Sequence, residues 1–579
     1  MNREGVGRRP RFLIKQVLIM LLFLLQLSCG STSNSGSSQQ TNRGFGPQSG
    51  SPAIRYASAK NGPVSGWEGS STRGAAITIW AENIGASRGS STLTVCGVTL
   101  DKDTDFAEWG SNTRPRTAKG TRRITFWLNS DMRGGEGIYV TVGGVKSNVY
   151  PFRCDTSGNI RFVDYEGGSD KNDGKTSARA WKTLNYAANQ MKPGDFLYLL
   201  GGTYSEPRFN IGYWESATDW YPGTNAERIT MTSYPGEEAV VSTEIGARSS
   251  YWTFANITFR GNGLYAPLSL GDRNGFRADS IHGVSTGISA IGNEFTGTLW
   301  HAMDAYGDGI VIQGNYIKFT PDPDTKNGSA YSLYMCSGKD RVIKDNEIHG
   351  GAKWLIHYYD EKRTSTEVYK EVSGLIEGNW FDATNNGGIG LRGAIILEVV
   401  NNGSPPVTIE MKGVTIRNNV FFTRDAGLID DWAMIFLRQN AKNIRIYNNT
   451  FYNINNRAVW INHSSAENVD VRNNIFSKVG KYDVDAYYWN GSPKNVTVVN
   501  NLYDDFVNLN SVSDPSPVVG DPRFVDPAGY DFHLQGVSPA VDRGLFINEV
   551  NRDYEYNPRP LDGDNSGTAE FDIGAFERY

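Results

Sequence analysis

One short unit dominates the second half of the chain: an aliphatic residue, any residue, a polar residue or Gly, then Asn, any residue, and an aromatic or aliphatic residue. It recurs at Asn293, Asn315, Asn346, Asn379, Asn419, Asn449, Asn474 and Asn501. Successive positions differ by 22, 31, 33, 40, 30, 25 and 27 residues, so (501−293)/7 lies close to 30. A period of this size with short strand-like runs marks a solenoid, in which each repeat buries its apolar face only against its neighbours. Asparagine tolerates left-handed backbone angles, and its amide can hydrogen-bond to the next Asn along a stack. A column of turn asparagines is therefore expected. Intervals above the shortest imply loops of unequal length leaving the stack. The longest, between Asn379 and Asn419, carries residues 398–406 and is expected to form part of a groove wall. An earlier coil is read at Asn256-Ile257-Thr258-Phe259.

Composition narrows the class. Glycine at 65 of 579 residues, hydrophobic residues at 39% and charged residues at 21% exclude a coiled coil and a disordered chain. With 57 basic and 62 acidic residues the net charge is −5, which leaves no large positive field for a nucleic-acid backbone. The 14 Trp and 29 Tyr suit sugar rings, whose C–H faces stack on aromatic faces, although such residues also fill cores.

At the N-terminus, Arg3, Arg8, Arg9, Arg11 and Lys15 precede an apolar run from Val17 to Leu27, too short for a mature membrane span but suited to a signal peptide over residues 1–28. The sequence Leu25-Gln26-Leu27-Ser28-Cys29 resembles the lipobox of bacterial lipoproteins, departing from it at Gln26. That resemblance implies lipidation of Cys29, and an ordinary secreted protein is the alternative. Residues 29–52, rich in Ser, Gln, Asn and Gly, read as a flexible tether. The expected location is extracytoplasmic, on the bacterial outer membrane or cell surface. Of the remaining cysteines, a bridge between Cys96 and Cys154 is one reading, with Cys336 a buried thiol. No His/Cys spacing points to zinc.

Residues 53–154 show alternating runs, Ile77-Thr78-Ile79-Trp80, Ile124 to Leu128 and Ile138 to Val142, between Gly-rich turns, as in a small antiparallel β-sandwich. The pattern from Ala75 to Gly85 followed by Val142 to Asn148 resembles an IPT/TIG immunoglobulin-like domain, which implies a module that spaces or presents its neighbour. Trp181, Leu184, Ala187, Ala188 and Met191 fall on one helical face. The helix, Pro193-Gly194-Asp195 and Gly201-Gly202-Thr203-Tyr204 together resemble the N-terminal cap of secreted right-handed parallel β-helix proteins, many of them polysaccharide lyases. A cap of this kind hides the open end of a sheet stack. The resulting fold class is all-β, a right-handed parallel β-helix over residues 155–514 preceded by the sandwich. Residues 515–579, with Gly520 to Phe524, Ser538-Pro539-Ala540 and Asp572 to Glu577, resemble a C-terminal anchor module of bacterial β-helices and are expected to cap the last coil, with structural roles for His533 and Asp572.

The family resemblance places the binding groove on the strand before each Asn turn. Those strands are read as Trp300 to Tyr306, Ala330 to Cys336, Trp354 to Tyr359, Ile389 to Arg392, Met434 to Gln439, Val459 to His463 and Ala486 to Trp489. Period-two alternation with Ile389, Leu391, Ile435 and Leu437 inward puts Gly390, Arg392, Met434, Phe436 and Arg438 outward. One outward column is then Asp304, Tyr334, His357, Arg392, Arg438, Asn462, one residue per coil at about 4.8 Å. A one-residue slip would turn any of them inward.

Such a column suits an acidic polysaccharide. Elimination across C4–C5 of a uronate needs a partner for the carboxylate, for which Arg392 and Arg438 serve, and a base, for which His357 or Tyr334 serves. Trp354, Tyr359, Trp460 and Trp489 would line subsites, with Asp304 and Asn462 beside them. Each residue also has a structural role open to it: His357 inside a Tyr-rich stack, Arg392 and Arg438 paired with Asp430, Asp431 or Asp360. Family lyases often use a Lys or Arg base with calcium, and no compact acidic triad stands on adjacent coils here, so calcium stays open and the metal site unassigned. Two further readings stand beside the lyase. A glycoside hydrolase needs two carboxyls about 5 to 9.5 Å apart, for which Asp304 with Asp308 or Asp430 with Asp431 are candidates. A non-catalytic glycan-binding or adhesion lipoprotein needs only the aromatic subsites. Expected partners are a polysaccharide and, through the lipid anchor, a membrane; the chain is expected to be a monomer without nucleic acid.

Overall fold

A computed structural model describes residues 50–579, except 114, 136, 155–156, 212–221, 271–284, 322–329, 337, 351–352, 362–370, 385–390, 401–408 and 425–431. The signal segment, Cys29, and Gly390, Asp430 and Asp431 lie outside the described residues. Among those described, no helix is long and apolar enough to cross a membrane.

The repeat folds into three long parallel sheets of 12, 13 and 11 strands, the architecture of a parallel β-helix. One coil shows the path. Gly338–Lys344 belongs to the first sheet, Asp345 and Asn346 make the turn, Glu347–His349 joins the second sheet, and Trp354–Glu361 joins the third. The chain then returns to the first sheet at Glu371–Glu377. Inside, residues at the same place in successive coils stack: Phe381 on Phe421 at 4.7 Å, Phe421 on Phe451 at 4.9 Å, and Phe451 on Phe476 at 5.1 Å between ring centroids. The spacing of the rings is set by the spacing of the strands. At the N-terminal end, the helix Leu184–Gln190, N-capped by the Thr183 side chain, buries Leu184, Ala187 and Ala188 against the core. Trp181 and Met191 are buried beside it but lie outside the helix.

All eight repeat asparagines are buried at the turn between the first and second sheets. From Asn315 onward, the Oδ1 of each accepts both the backbone N–H and the Nδ2–H of the Asn one coil earlier, at 2.9–3.0 Å throughout. Ile257 N–H donates to Asn293 at the start, and the Asp514 carboxylate takes the place of a next Asn by accepting from Asn501 at 3.1 Å. The residue before each ladder Asn has positive φ, from 51° to 68°: Gly292, Gly314, Asp345, Gly378, Asn418, Asn448, Asn473 and Asn500. Only Gly, Asn and Asp occur there, the residues that adopt this conformation at least cost.

That second column faces outward and seats the two flanking modules. Strands Ala53–Ala57, Arg73–Glu82, Arg122–Asn129 and Phe106–Ser111 form one antiparallel sheet of the N-terminal sandwich, and Val98–Leu100, Thr92–Val95, Ile138–Val142 and Val145–Lys146 form the other. Cys96 and Cys154 are joined by a disulfide, and Cys336 is a buried thiol. The Trp80 ring lies against Gly292 and the Tyr56 ring against Gly314, where a Cβ would overlap each ring. Arg55, fully buried, lies 2.6 Å from Glu82 and 3.7 Å from Asp345. The sandwich is thus clamped to the β-helix rather than held away as a spacer.

Further along the ridge the C-terminal segment takes over. Asn418, Asn448, Asn473 and Asn500 donate through Nδ2 to the carbonyls of Arg552, Asp572, Leu545 and Arg543 at 2.7–3.0 Å. Its Phe524, Phe532, Tyr554 and Phe576 pack on Trp380, Phe422, Tyr452 and Ile475 of the second sheet. The segment therefore lies along the flank of the β-helix, where the sequence led us to expect a cap on the last coil. His533 sits between Asp531 at 2.5 Å and Glu555 at 3.1 Å. The Asp572 carboxylate accepts from Asp542 N–H at 2.7 Å, so both residues hold this segment together.

Candidate functional site

With the turn ridge covered, the third sheet carries the chain's outward aromatic face. Its 11 strands begin with Phe209–Ile211, Ile245–Ala247 and Leu268–Leu270, continue through His301–Tyr306, Tyr331–Cys336, Trp354–Glu361, Gly393–Val400, Ala433–Leu437, Arg457–Ile461 and Tyr482–Asp485, and end with Leu509–Asn510. They are not the strands before the Asn turn, since a first-sheet strand intervenes in every coil.

Strand pairing fixes the columns. Asp304 pairs with Tyr334, Tyr334 with His357, His357 with Ile396, Ile396 with Phe436, Phe436 with Trp460, and Trp460 with Asp485. Asp304, Tyr334 and His357 thus share the expected column, but Arg392, Arg438 and Asn462 do not. Arg392 precedes its strand, donates its backbone N–H to Lys353 O at 2.8 Å, and holds its guanidinium 4.4 Å from the Trp432 ring centroid. Arg438 and Asn462 follow their strands by one residue and extend the neighbouring outward column of Tyr359 and Glu398. Two consecutive residues point inward where each strand begins, as with Leu355 and Ile356, Met434 and Ile435, and Ala458 and Val459. Met434 is therefore a core residue, against the simple alternation.

The centre of the face is a dyad. His357 Nε2 lies 3.2 Å from Glu398 Oε1, and Arg438 Nη1 donates to Glu398 Oε2 at 2.7 Å. His357 and Glu398 are 7% and 6% exposed, so the pair is almost dry, whereas the Arg438 side chain is half-exposed. Burial pushes the His357 imidazole below its ordinary pKa, and the hydrogen bond to Glu398 offsets this only in part. Burial would raise the Glu398 carboxyl, yet the hydrogen bond with His357 and the charge of Arg438 hold it below its ordinary value. The favoured state is a neutral imidazole donating Nε2–H to an ionised Glu398. That tautomer leaves the lone pair on Nδ1, which is buried and has no hydrogen-bond partner among the described residues.

Tyrosines surround the dyad. The rings of Tyr331, Tyr334 and Tyr359 stand 4.6, 5.5 and 4.9 Å from the His357 ring. His301 stacks on Tyr331 at 5.3 Å and on Tyr334 at 5.4 Å. Burial, with Glu398 nearby, raises the Tyr331 hydroxyl to about 12. Burial and the neighbouring Cys336 raise Tyr334 further still. Both keep their protons at neutral pH, so Tyr334 is suited to donate a proton and not to act as the base. On the other side of His357, Trp354 stacks on Phe436 at 5.8 Å with the planes 6° apart, and Trp460 adjoins Phe436 at 4.9 Å. Trp489 follows the strand Tyr482–Asp485 and is 75% exposed, and Asn462 is half-buried at the margin. Asp304 is buried two coils before His357. Asp308, the other carboxylate considered with it, accepts the Lys339 backbone N–H on the turn toward the first sheet.

Glu398 and His301 escaped the sequence reading. The interval between Asn379 and Asn419 suggests a departing loop at Glu398, but the run Ala394 to Val400, apolar except at that position, is a strand. Among the described residues, three acids with oxygens within 4.8 Å of one another occur at Asp542, Asp562 and Asp564, in the C-terminal segment.

No protein-family model and no curated protein matches the chain. Solved structures with a similar course include XylC in complex with xylose, at 11% identity and TM-score 0.44, covering 72% of this chain and 98% of that one. The pectate lyase Pel9A aligns at 15% identity and TM-score 0.39, covering 73% and 97%. A family 28 exopolygalacturonase of Yersinia enterocolitica aligns at 12% identity and TM-score 0.38, covering 81% and 100%. At these identities and scores the likeness carries no activity over to this chain.

Proposed function

We propose that the outer face of the third sheet cleaves a uronate-containing polysaccharide by β-elimination, from a chain held outside the cytoplasm by a lipid on Cys29. The observation that carries the reading is the buried Glu398–His357 dyad, with a neutral imidazole whose Nδ1 lone pair stands among proton-bearing tyrosines.

In this reading the glycan displaces the side chains that shield the buried Nδ1 of His357, which then takes the proton from the uronate carbon next to the carboxylate. The freed electron pair forms the C4–C5 double bond as the C4–oxygen bond breaks, and the departing oxygen takes a proton from Tyr331 or Tyr334. Glu398 holds the imidazole in the required tautomer and stabilises the imidazolium that forms. Arg438 spends one of its five N–H donors on Glu398, and its exposed edge is suited to the substrate carboxylate, whose charge must be stabilised as the proton leaves. Elimination needs one base and one acid, which the dyad and the tyrosines supply, whereas hydrolysis needs two carboxyls about 5 to 9.5 Å apart. Asp304 stands three strand steps from the Ile396 coil that carries Glu398, about 14 Å away at the usual strand spacing.

The test is to incubate the full chain with alginate, pectate, glycosaminoglycans and ulvan, with calcium and with chelator, and to record unsaturated-uronate absorbance together with reducing ends. Absorbance rising with reducing ends supports the reading and decides the calcium requirement. Reducing ends alone would replace it with hydrolysis, and neither signal would replace it with glycan binding.

A further inference from the structure

We infer that the N-terminal end of the same face holds a separate subsite for a neutral sugar ring, about three to four sugar residues from the bond that reacts at His357. The placement rests on the proposed position of the reacting bond; the choice of ligand rests on the pocket alone.

The column through His357 continues toward the N-terminus as Asp304, Ser269, Gly246 and Asn210. Its side chains become small where the rest of the column is bulky, and a cavity of about 270 Å³ opens above Gly246 and Ser269. A Cβ at Gly246 would meet the Asn210 amide oxygen, so glycine leaves that side chain room to lie across the pocket floor. Tyr265 and Tyr306 stand among the walls, with Arg208 and Glu244, paired at 3.0 Å, and with Arg248 and Asp304. Glu244 also accepts the Tyr265 backbone N–H at 2.8 Å, which fixes its second oxygen.

The pocket therefore offers two guanidinium groups and two carboxylates, with an amide and a hydroxyl between them. A uronate carboxylate entering it would meet Glu244 and Asp304 as well as the arginines. The hydroxyls of a neutral ring both donate and accept, so they can use both kinds of group, and the tyrosines present faces for the ring's C–H surface. Ser269 lies three strand steps from His357, through Asp304 and Tyr334, or about 14 Å, and Gly246 one step further. One sugar residue of an extended chain advances about as far as one coil. The C-terminal side of His357 is different, apolar throughout, with Trp354 and Phe436 buried and Trp460 half-buried beside them. The two directions along the face thus present different chemistry to a glycan.

Binding of the full chain to xylo-, manno-, galacto- and rhamno-oligosaccharides of three to six residues, and to oligogalacturonate and oligomannuronate of the same lengths, tests this by calorimetry. At least one neutral series is expected to bind, to lose about tenfold or more in affinity with Ser269→Trp, and to weaken with Arg208→Ala. Arg208 is a surface residue, so its variant decides the matter should Ser269→Trp not fold. The inference is overturned if no neutral series binds, if neutral binding ignores both substitutions, or if only the uronates respond to them. Neutral binding that responds to the pocket variants, in a protein that makes no unsaturated product, would keep this subsite while removing β-elimination.

Discussion

The turn between the first and second sheets and the outer face of the third sheet run along the same solenoid but solve opposite problems. On the turn, every ladder amide is spent on the next coil, and the residue before it clears space for a ring at Gly292 and Gly314, faces Arg55 at Asp345, and donates to the C-terminal segment at Asn418, Asn448, Asn473 and Asn500. On the third sheet, the central imidazole keeps a buried ring nitrogen without a partner among the described residues, inside a wall of tyrosines. Saturation gives the first region rigidity, and the unsatisfied nitrogen is what the proposed chemistry uses in the second. A fully buried polar network tolerates no missing member, while a reactive group must hold back one of its valences.

Breaking the ladder should have a large effect on folding alone. Asn419→Ala removes the acceptor of Asn379 N–H and Nδ2–H and the donor to Ile376 O and Asn449 Oδ1. Buried groups left unpaired cost about 1–3 kcal/mol each, so a loss on the order of 3–5 kcal/mol is expected in denaturant unfolding, with turnover per folded molecule retained. A loss of turnover at unchanged stability would erase the distinction between the two regions.

Changing pH should separate them without mutation. The His357 imidazole must be neutral to accept a proton, and its pKa in the folded chain lies below 6.5. Activity should therefore hold below pH 6.5 and fall only as the pH drops through that lowered value. At the C-terminal segment the sign reverses. Burial alone would lower His533, but Glu555 and Asp531 outweigh it and raise the imidazole to about 9. Its contribution is full below 6.5 and is lost as the pH rises through about 9. Melting temperature and kcat/KM recorded on one pH series check both limbs.

The smallest effect is expected at the edge of the face. Trp489 is 75% exposed, so Trp489→Ala should shift stability by no more than about 0.5 kcal/mol and leave the dyad chemistry intact. A melting curve and a kcat measurement check this; a large loss of kcat would move the reacting centre toward the C-terminal end.

The same contrast explains what the sequence disclosed. The Asn column was legible because backbone conformation and amide geometry admit so few residues there, and Asn293 to Asn501 stand where the repeat put them. The third-sheet register was not legible beyond His357. Its outward column turns apolar at Ile396, Phe436 and Trp460, so hydrophobicity ceases to separate inside from outside. Paired inward residues such as Met434 and Ile435 also break the period of two on which the count relied. That count puts Arg392 and Arg438 in one column and hides Glu398, the residue hydrogen-bonded to His357. The paths of the two flanking modules were hidden for another reason: contacts such as Arg55 with Asp345 join residues hundreds of positions apart, and nothing local announces them.

The most direct test compares the full chain with His357→Ala on the uronate polysaccharides, following unsaturated-uronate absorbance and thermal unfolding in the same samples. The account expects turnover to fall by about 10²- to 10⁴-fold, the contribution of a positioned base, with little change in the unfolding curve. Product formation by His357→Ala at the rate of the unaltered chain would contradict it.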